Sequence, residues 1–141
     1  QAELCKQSFD ACSPNYTQVL ASEFLKTGML DKYVAGLRVI YKKRKDAMIN
    51  ALNKYFPKEA QWVEPHGGFY VWIRLPEGID PTVLLKDVIA KGAVFVIGNT
   101  FDPAGVSNSH IRLSFSTNPE SLIDKGVKII GDAMKQMIKK V

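Results

Sequence analysis

The sequence is poor in cysteine and histidine, the residues that form disulfide cross-links or bind metal ions. Its 141 residues include only two cysteines, Cys5 and Cys12, and only two histidines, His66 and His110. The cysteines follow neither a CxxC nor any metal-binding spacing, and both histidines lie far from them along the chain. We therefore expect no metal site, and we interpret the thiols as small apolar groups in a reducing cytoplasm.

Long apolar runs are also missing. No stretch approaches the roughly 18–20 residues that span a bilayer, and the chain does not open with a basic segment followed by an apolar one, as a secretory signal would. We therefore expect a cytoplasmic protein with no membrane partner. The length is sufficient for one domain with a hydrophobic core.

The net charge of +5 is mild and partly local, with four consecutive cations at positions 42–45. Such a cluster could bind phosphates of nucleic acid. On a helix, however, four consecutive side chains fan out around the axis, so we favour a solvated helix face and expect no nucleic-acid partner. The sequence also contains no GxGxxG, P-loop or GxSxG motif.

The first half of the chain has a helical pattern. Residues 1–28 are predicted to form two helices separated at Ser13–Asn15, because Pro14 disfavours helix at the residue before it. The second helix is expected over residues 17–26, with Gly28 following its end. A long helix is predicted over residues 31–55. Its apolar face is expected to comprise Tyr33, Val34, Leu37, Ile40, Tyr41, Met48, Leu52 and Tyr55.

The second half alternates strands and helices. Strands are predicted at 69–75 and 110–116, where apolar residues alternate with polar or aromatic ones, and at 93–97. The first two strands flank a helix that starts at Asp80-Pro81, a capping residue followed by proline, which makes a βαβ-like unit. Asn118-Pro119 repeats this pattern before a last helix that runs to about residue 140.

The connection over residues 98–109 is rich in glycine, proline, asparagine and serine and is predicted to be a loop. The buried face of the last helix is expected to comprise Leu122, Ile123, Val127, Ile130, Met134, Met137 and Ile138. The fold class is therefore α/β, or α+β-like, with a small sheet of about three strands flanked by helices.

Arg112 is the most informative polar residue. It lies in the strand at 110–116, on the face that Ser114 and Ser116 share. A guanidinium presents a planar fork that matches a carboxylate with two parallel hydrogen bonds. From alternation alone, a solvent-facing arginine remains the stronger interpretation.

Gly67 and Gly68 precede the first of these strands. Paired glycines permit a turn with positive φ or the close approach of a ligand to the backbone. A plain turn at the entry to a strand is the stronger interpretation from the residues alone, and His66 is interpreted as part of that turn. In the long helix we expect Tyr41 to pack, and Arg44 to form an ion pair or to face solvent.

Five motifs, taken in order, resemble class I/II aminotransferases, which depend on pyridoxal phosphate (PLP) and have the PLP fold type I architecture. Residues 13–18 are similar to the family's "STSxxSQ", and residues 37–48 are similar to "LRxxYxxRRDxM". Residues 65–76 resemble "PxGGxFxWxxLP", residues 98–101 "GxxF" and residues 111–116 "xRLxFS". Ile97 departs from the proline that usually precedes "GxxF".

The resemblance implies a C-terminal part of such an enzyme. Residues 1–28 would be the tail of the large PLP-binding domain, and residues 29–141 the small domain. Arg112 would bind the substrate α-carboxylate, with Gly67 and Gly68 beside the substrate pocket. The whole enzyme would transfer an amino group between an amino acid and a 2-oxo acid, as a homodimer.

No residue here can be matched to the family's cofactor-binding lysine or to its other PLP ligands. The resemblance therefore implies that the missing N-terminal part holds PLP and that this chain contributes no catalytic residue and is inactive alone. Two alternatives stay open. The chain could be the effector domain of an aminotransferase-like transcription regulator, or a stand-alone module that binds carboxylates.

Overall fold

The structure is a computed structural model that describes residues 1–10, 12–104 and 109–139. The chain forms two compact units, residues Gln1–Val39 and Ile40–Val141. The boundary between the units falls within one long helix. The assignment of residues 1–28 to a large domain stays a prediction.

The first unit is helical. Helix α1 spans Ala2–Phe9 and α2 spans Asn15–Lys26, and the first part of α3, which spans Met29–Tyr55, completes the unit. The predicted break at Pro14 is confirmed, and Gly28 has the positive φ of +68° expected after a helix end. No side chain of α1 or α2 is buried within this unit. Cys5 and Cys12 are free and exposed, which is compatible with the interpretation of their thiols as small groups that form no disulfide.

The second unit contains a four-stranded sheet, one strand more than predicted. The strands are β1 Gln61–Trp62, β2 Tyr70–Arg74, β3 Val96–Ile97 and β4 His110–Ser114. Their order is β1-β2-β4-β3, and each neighbouring pair is antiparallel.

Strand β4 lies between β2 and β3 and pairs with both. Since β2 and β3 each run antiparallel to β4, they run parallel to each other. The predicted βαβ-like unit is therefore present in a split form, with α4 (Pro81–Ala90) joining two strands that do not touch. The sequence pattern did not indicate that the last strand would insert between the first two.

The two helices of the second half begin differently. Helix α4 starts as predicted, because the Asp80 side chain accepts a hydrogen bond of 2.7 Å from the Thr82 backbone N–H. Helix α5 spans Glu120–Ile138, and its N-cap is Pro119 with no side-chain hydrogen bond. The expected cap by Asn118 is therefore wrong. The predicted helix end at residue 140 lies outside the described residues.

The hydrophobic core lies on one face of the sheet. Val71 and Ile73 of β2, with Ile111 and Leu113 of β4, are buried against α4, α5 and the C-terminal part of α3. The predicted apolar faces are only partly confirmed. In α3, Met48 and Leu52 are buried but Tyr33 and Ile40 are exposed, and in α5 Leu122 is 52% exposed. The buried residues of α5 are Ile123, Val127, Ile130, Gly131, Ala133 and Met134.

Helices α3 and α5 approach each other closely at Gly131. A Cβ atom added to Gly131 would lie 2.5 Å from the Tyr55 carbonyl oxygen. Beside this contact, the Tyr55 hydroxyl donates to Asp124 Oδ2 at 3.1 Å. A glycine is therefore required where the end of α3 crosses α5.

Within the described part of the chain, none of the helices has the length and hydropathy that a membrane crossing requires.

Candidate functional site

The face of the sheet opposite the core carries Arg112. Strand pairing sets Arg112 directly opposite Trp72 of β2 on one side and Val96 of β3 on the other. The side chains of Tyr70, Trp72 and Ser114 emerge on the same face because residues two apart in a strand point the same way. This arrangement follows from the alternation that the sequence showed.

Two aromatic rings contact the Arg112 guanidinium. Its central carbon lies 4.0 Å from the centre of the Tyr70 ring and 4.3 Å from the centre of the Phe101 ring. Such distances are within the range of cation–π attraction. The guanidinium is therefore neither free in solvent nor, among the residues that the structure describes, in an ion pair with a carboxylate.

Further rings extend this surface. Trp72 contacts Phe101 edge-on, with ring centres 5.7 Å apart, and it stacks on His110 at 5.6 Å. Tyr70, Trp72 and Phe101 are each a little under half exposed. The face around Arg112 is thus an aromatic surface with one central cation, which we call the Arg112 face and define as Tyr70, Trp72, Phe101, His110 and Arg112.

Gly67 and Gly68 form an exposed turn at the entry to β2. Gly68 has a φ of +77°, and Cβ atoms added to either glycine would meet nothing within 4 Å. The Phe69 carbonyl accepts a hydrogen bond of 3.1 Å from the Phe115 backbone N–H, which ties the turn to the end of β4. The turn therefore adjoins Tyr70, the first residue of β2, whose ring contacts the Arg112 guanidinium.

Helix α3 supports this end of the sheet. Tyr41 packs edge-on against Phe69, with ring centres 5.0 Å apart, so its predicted packing role is confirmed. Arg44 donates a hydrogen bond to the Ser116 backbone carbonyl. The expectation that Arg44 would form an ion pair or face solvent is wrong, because a carbonyl at the end of β4 takes its N–H group.

Two of the four cations at residues 42–45 pair with neighbouring carboxylates. Lys42 pairs with Asp46 at 2.7 Å and Lys45 with Glu64 at 2.6 Å. The hydrogen bond from Lys45 holds the pKa of Glu64 below its usual range, and the one from Lys42 does the same for the pKa of Asp46. This pairing favours the solvated helix face over a phosphate-binding patch.

Two depressions open near the sheet. The larger, of about 860 Å³, lies by the turn after β2 and is lined by Arg74, Glu77 and Asp80 among others. The smaller, of about 400 Å³, includes Arg112 and Ser114 and continues between the stretch before β3 and the start of α5. Of the two, only the smaller depression has Arg112 in its lining. Most of that lining comes from the stretch before β3 and from α5, and Trp72, Phe101 and His110 of the Arg112 face are not part of it.

The sequence analysis found Arg112 but not the rings that contact it. Phe101 was noticed only as the last residue of the "GxxF" motif. Its contact with Arg112 depends on the 3₁₀ turn Gly98–Phe101, which lies in a segment predicted to be a loop. Tyr70 and Trp72 were interpreted only as the alternate face of a strand. Residues 105–108 of the predicted loop lie outside the described residues.

Curated proteins similar to this chain include aminotransferases. An aromatic-amino-acid aminotransferase from Thermococcus litoralis is 38% identical over 138 residues, which cover 98% of this chain and 33% of that protein. The 2-aminoadipate transaminase from Thermus thermophilus is 32% identical over 94% of this chain and 33% of its own length. The chain thus spans about a third of the length of these relatives.

Solved aminotransferase structures also match this chain over about a third of their own length. The structure of a multiple-substrate aminotransferase from Thermococcus profundus matches 98% of this chain and 34% of the aminotransferase chain, with a TM-score of 0.90 and 35% sequence identity. The structure of a kynurenine aminotransferase from Pyrococcus horikoshii matches 94% of this chain and 33% of the aminotransferase chain, with a TM-score of 0.87 and 34% sequence identity.

Regulators are also among the similar proteins. An HTH-type transcriptional regulator from Bacillus subtilis is 27% identical over 94% of this chain and 27% of its own length. No protein-family profile matches the chain.

Proposed function

We propose that this chain, which is a homologue of PLP-dependent aminotransferases over about a third of their length, is the C-terminal part of such an enzyme and supplies its carboxylate-binding residue. The full protein would transfer an amino group between an amino acid and a 2-oxo acid. The observation that carries the proposal is the Arg112 guanidinium, held between two aromatic rings at the centre of the Arg112 face.

In this proposal Arg112 binds the α-carboxylate of the substrate through two parallel N–H···O bonds. Fixing the carboxylate restricts rotation of the amino acid and so orients its Cα–H bond for proton removal. Orientation of this kind contributes several kcal/mol to the lowering of a barrier. Gly67 and Gly68 present backbone without side chains at the end of the same face, where a substrate can approach closely.

The cofactor is proposed to lie in the part of the protein outside this chain. Two lysines, Lys91 and Lys125, line the depression that includes Arg112, and Lys91 pairs with Asp87 at 2.6 Å. Neither matches the family's cofactor-binding lysine in a motif, so we derive no step through PLP here. In aminotransferases PLP supplies the electron sink. Accordingly, the 141-residue chain alone is proposed to be inactive.

The helices of the first unit are the proposed contact with a large domain. They leave a set of large apolar side chains exposed, which comprises Leu4, Phe9, Tyr16, Val19, Leu20, Phe24, Leu25 and Met29. Apolar surface of this extent typically marks an interaction site. We further propose a cytoplasmic homodimer for the full protein, which light scattering and cell fractionation would test.

Substitution Arg112→Lys in the complete gene product tests the carboxylate role. Lysine keeps the charge but loses the planar fork, so we expect kcat/KM for the best amino donor to fall at least tenfold while PLP absorbance stays unchanged. The donor would be chosen from L-phenylalanine, L-2-aminoadipate, L-leucine and L-aspartate. Arg74→Lys, on the other side of Trp72 along β2, is the matched control. Unchanged kinetics with every donor would refute the role.

A second candidate function rests on the similarity to HTH-type regulators. The chain would then be the effector domain of a transcription regulator that binds an amino acid without turnover. The complete gene product distinguishes the two, because a regulator would carry an HTH domain and bind a specific DNA site. A stand-alone carboxylate-binding module is the third candidate. It would require the 141-residue chain to bind carboxylates by itself, which calorimetry tests.

A further inference from the structure

The two rings at Arg112 come from separate elements of the fold. Tyr70 belongs to β2 and Phe101 ends the 3₁₀ turn that follows β3, on opposite sides of β4 in the sheet order. Both rings have their centres within 4.3 Å of the same guanidinium carbon. Arg112 is thus contacted by the flanking segments on both sides of its strand.

The central carbon of the Arg112 guanidinium lies over both rings. An aromatic ring attracts the charge through its π electrons and does not take up the N–H donors in the way that a carboxylate oxygen does. A carboxylate neighbour would instead occupy the donor fork. Among the described residues no ion pair or hydrogen bond involves the Arg112 side chain, whereas Arg44 of α3 donates an N–H to the Ser116 backbone carbonyl.

The position of Phe101 depends on a close backbone approach at Gly98. Gly98 is buried, and a Cβ atom added there would lie 2.8 Å from the His110 carbonyl oxygen. A glycine at this position therefore allows the 3₁₀ turn to lie directly against the start of β4. This contact between the turn and β4 brings the ring of Phe101 next to Arg112, which lies two residues after His110 in β4.

We propose that Tyr70 and Phe101 are positioning residues that hold the Arg112 guanidinium in place with its N–H fork open toward a substrate carboxylate. The proposal rests on the proposed function of Arg112 and adds two residues to it. An arginine side chain that is ordered before binding loses less conformational freedom when the carboxylate arrives. The rings therefore contribute to affinity for the carboxylate without touching it.

The test uses the complete gene product with PLP and the fastest donor of the panel named above. Tyr70→Leu and Phe101→Leu remove the rings, whereas Tyr70→Phe and Phe101→Tyr keep them. We expect each ring removal to lower kcat/KM about three- to tenfold, mainly through KM, and each ring-retaining variant to stay within twofold of the wild type. The same variants are then made in an Arg112→Ala background, where ring removal should have less than a twofold effect.

The outcomes separate this inference from the proposed function. Equal effects of ring removal with and without Arg112 would mean that the rings act on general structure, and would overturn the proposal. A large effect of Arg112→Lys with none from either ring removal would also overturn it, while leaving the carboxylate role intact. If Arg112→Lys itself has no effect, the carboxylate-binding role of Arg112 and the positioning role of the two rings are both refuted.

A measurement without turnover supports the kinetics. Rings over a guanidinium shift its proton signals upfield through their ring currents. In ¹⁵N-arginine-labelled protein, the side-chain signal that disappears in Arg112→Lys should move downfield in Tyr70→Leu and Phe101→Leu and remain in place in Tyr70→Phe. A signal at the ordinary arginine position in the wild type would contradict the contact.

Discussion

Two glycines of helix α5 should respond in opposite ways to the same substitution. Gly126 has nothing within 4 Å of an added Cβ atom, whereas at Gly131 that atom would lie 2.5 Å from the oxygen and 2.9 Å from the carbon of the Tyr55 carbonyl group. Both glycines lie inside the helix Glu120–Ile138. The pair therefore separates the intrinsic effect of adding a methyl group to a helix from the effect of the crossing.

The expected magnitudes follow from these two terms. Replacing a glycine inside a helix by alanine stabilises it by roughly 0.5–1 kcal/mol when nothing obstructs the new methyl group. At Gly131 the obstructing atoms are backbone, which cannot rotate away, so α3 and α5 must separate and repack at a cost of about 1–3 kcal/mol or more. We expect Gly126→Ala to be stabilising, and Gly131→Ala to be destabilising by about 1–2 kcal/mol.

Thermal unfolding of the 141-residue chain, followed by circular dichroism, measures the difference. At roughly 3–5 °C per kcal/mol for a chain of this size, the two variants should differ in Tm by about 10 °C. Urea unfolding should show the same order. A Gly131→Ala variant as stable as Gly126→Ala would refute the reasoning, because it would mean that the end of α3 does not press on α5.

Two further predictions concern an exposed ion pair and the turn before β2. Glu64→Gln should destabilise the chain more at pH 7 than at pH 3. The hydrogen bond from Lys45 lowers the folded-state pKa of Glu64, so the contribution of Glu64 is present above the ordinary glutamate pKa and is lost as pH falls through the folded value. Melting curves at both pH values check this, and 1 M salt should shrink the difference at pH 7. Gly68→Ala should cost about 1–2 kcal/mol because φ is +77°, whereas Gly67→Ala should be nearly neutral. Equal melting temperatures for these two alanine variants would contradict the backbone argument.

Local patterns in the sequence were sufficient to predict most elements. The alternation around Val71 and Ile111 identified two strands, and Asp80-Pro81 identified the start of α4, because each signal resides in neighbouring residues. Strand β1 was missed, since two paired residues carry no alternation of their own. Its pairing with β2 is a property of the folded sheet.

Only part of the candidate site could be predicted from the sequence, namely Arg112 and not the aromatic rings that contact it. Arg112 could be selected because its motif has a known role in a family, and that role remains a prediction here. The rings of Tyr70 and Phe101 could not be connected with it, because the contact arises from two strand pairings and a close approach at Gly98. Such contacts depend on which strands become neighbours in the sheet, and the order of the strands along the chain does not predict their order in the sheet.

The central position of β4 also sets an order of events in folding. Protein synthesis proceeds from the N terminus, so β2 and β3 leave the ribosome before the strand that joins them. Until residues 110–114 emerge, the edges of β2 and β3 that will later pair with β4 have no partner in this sheet. Unpaired edges are templates for association with other chains. The nascent chain is therefore most exposed to misassembly, and has most to gain from a chaperone, in the interval between the synthesis of β3 and that of β4.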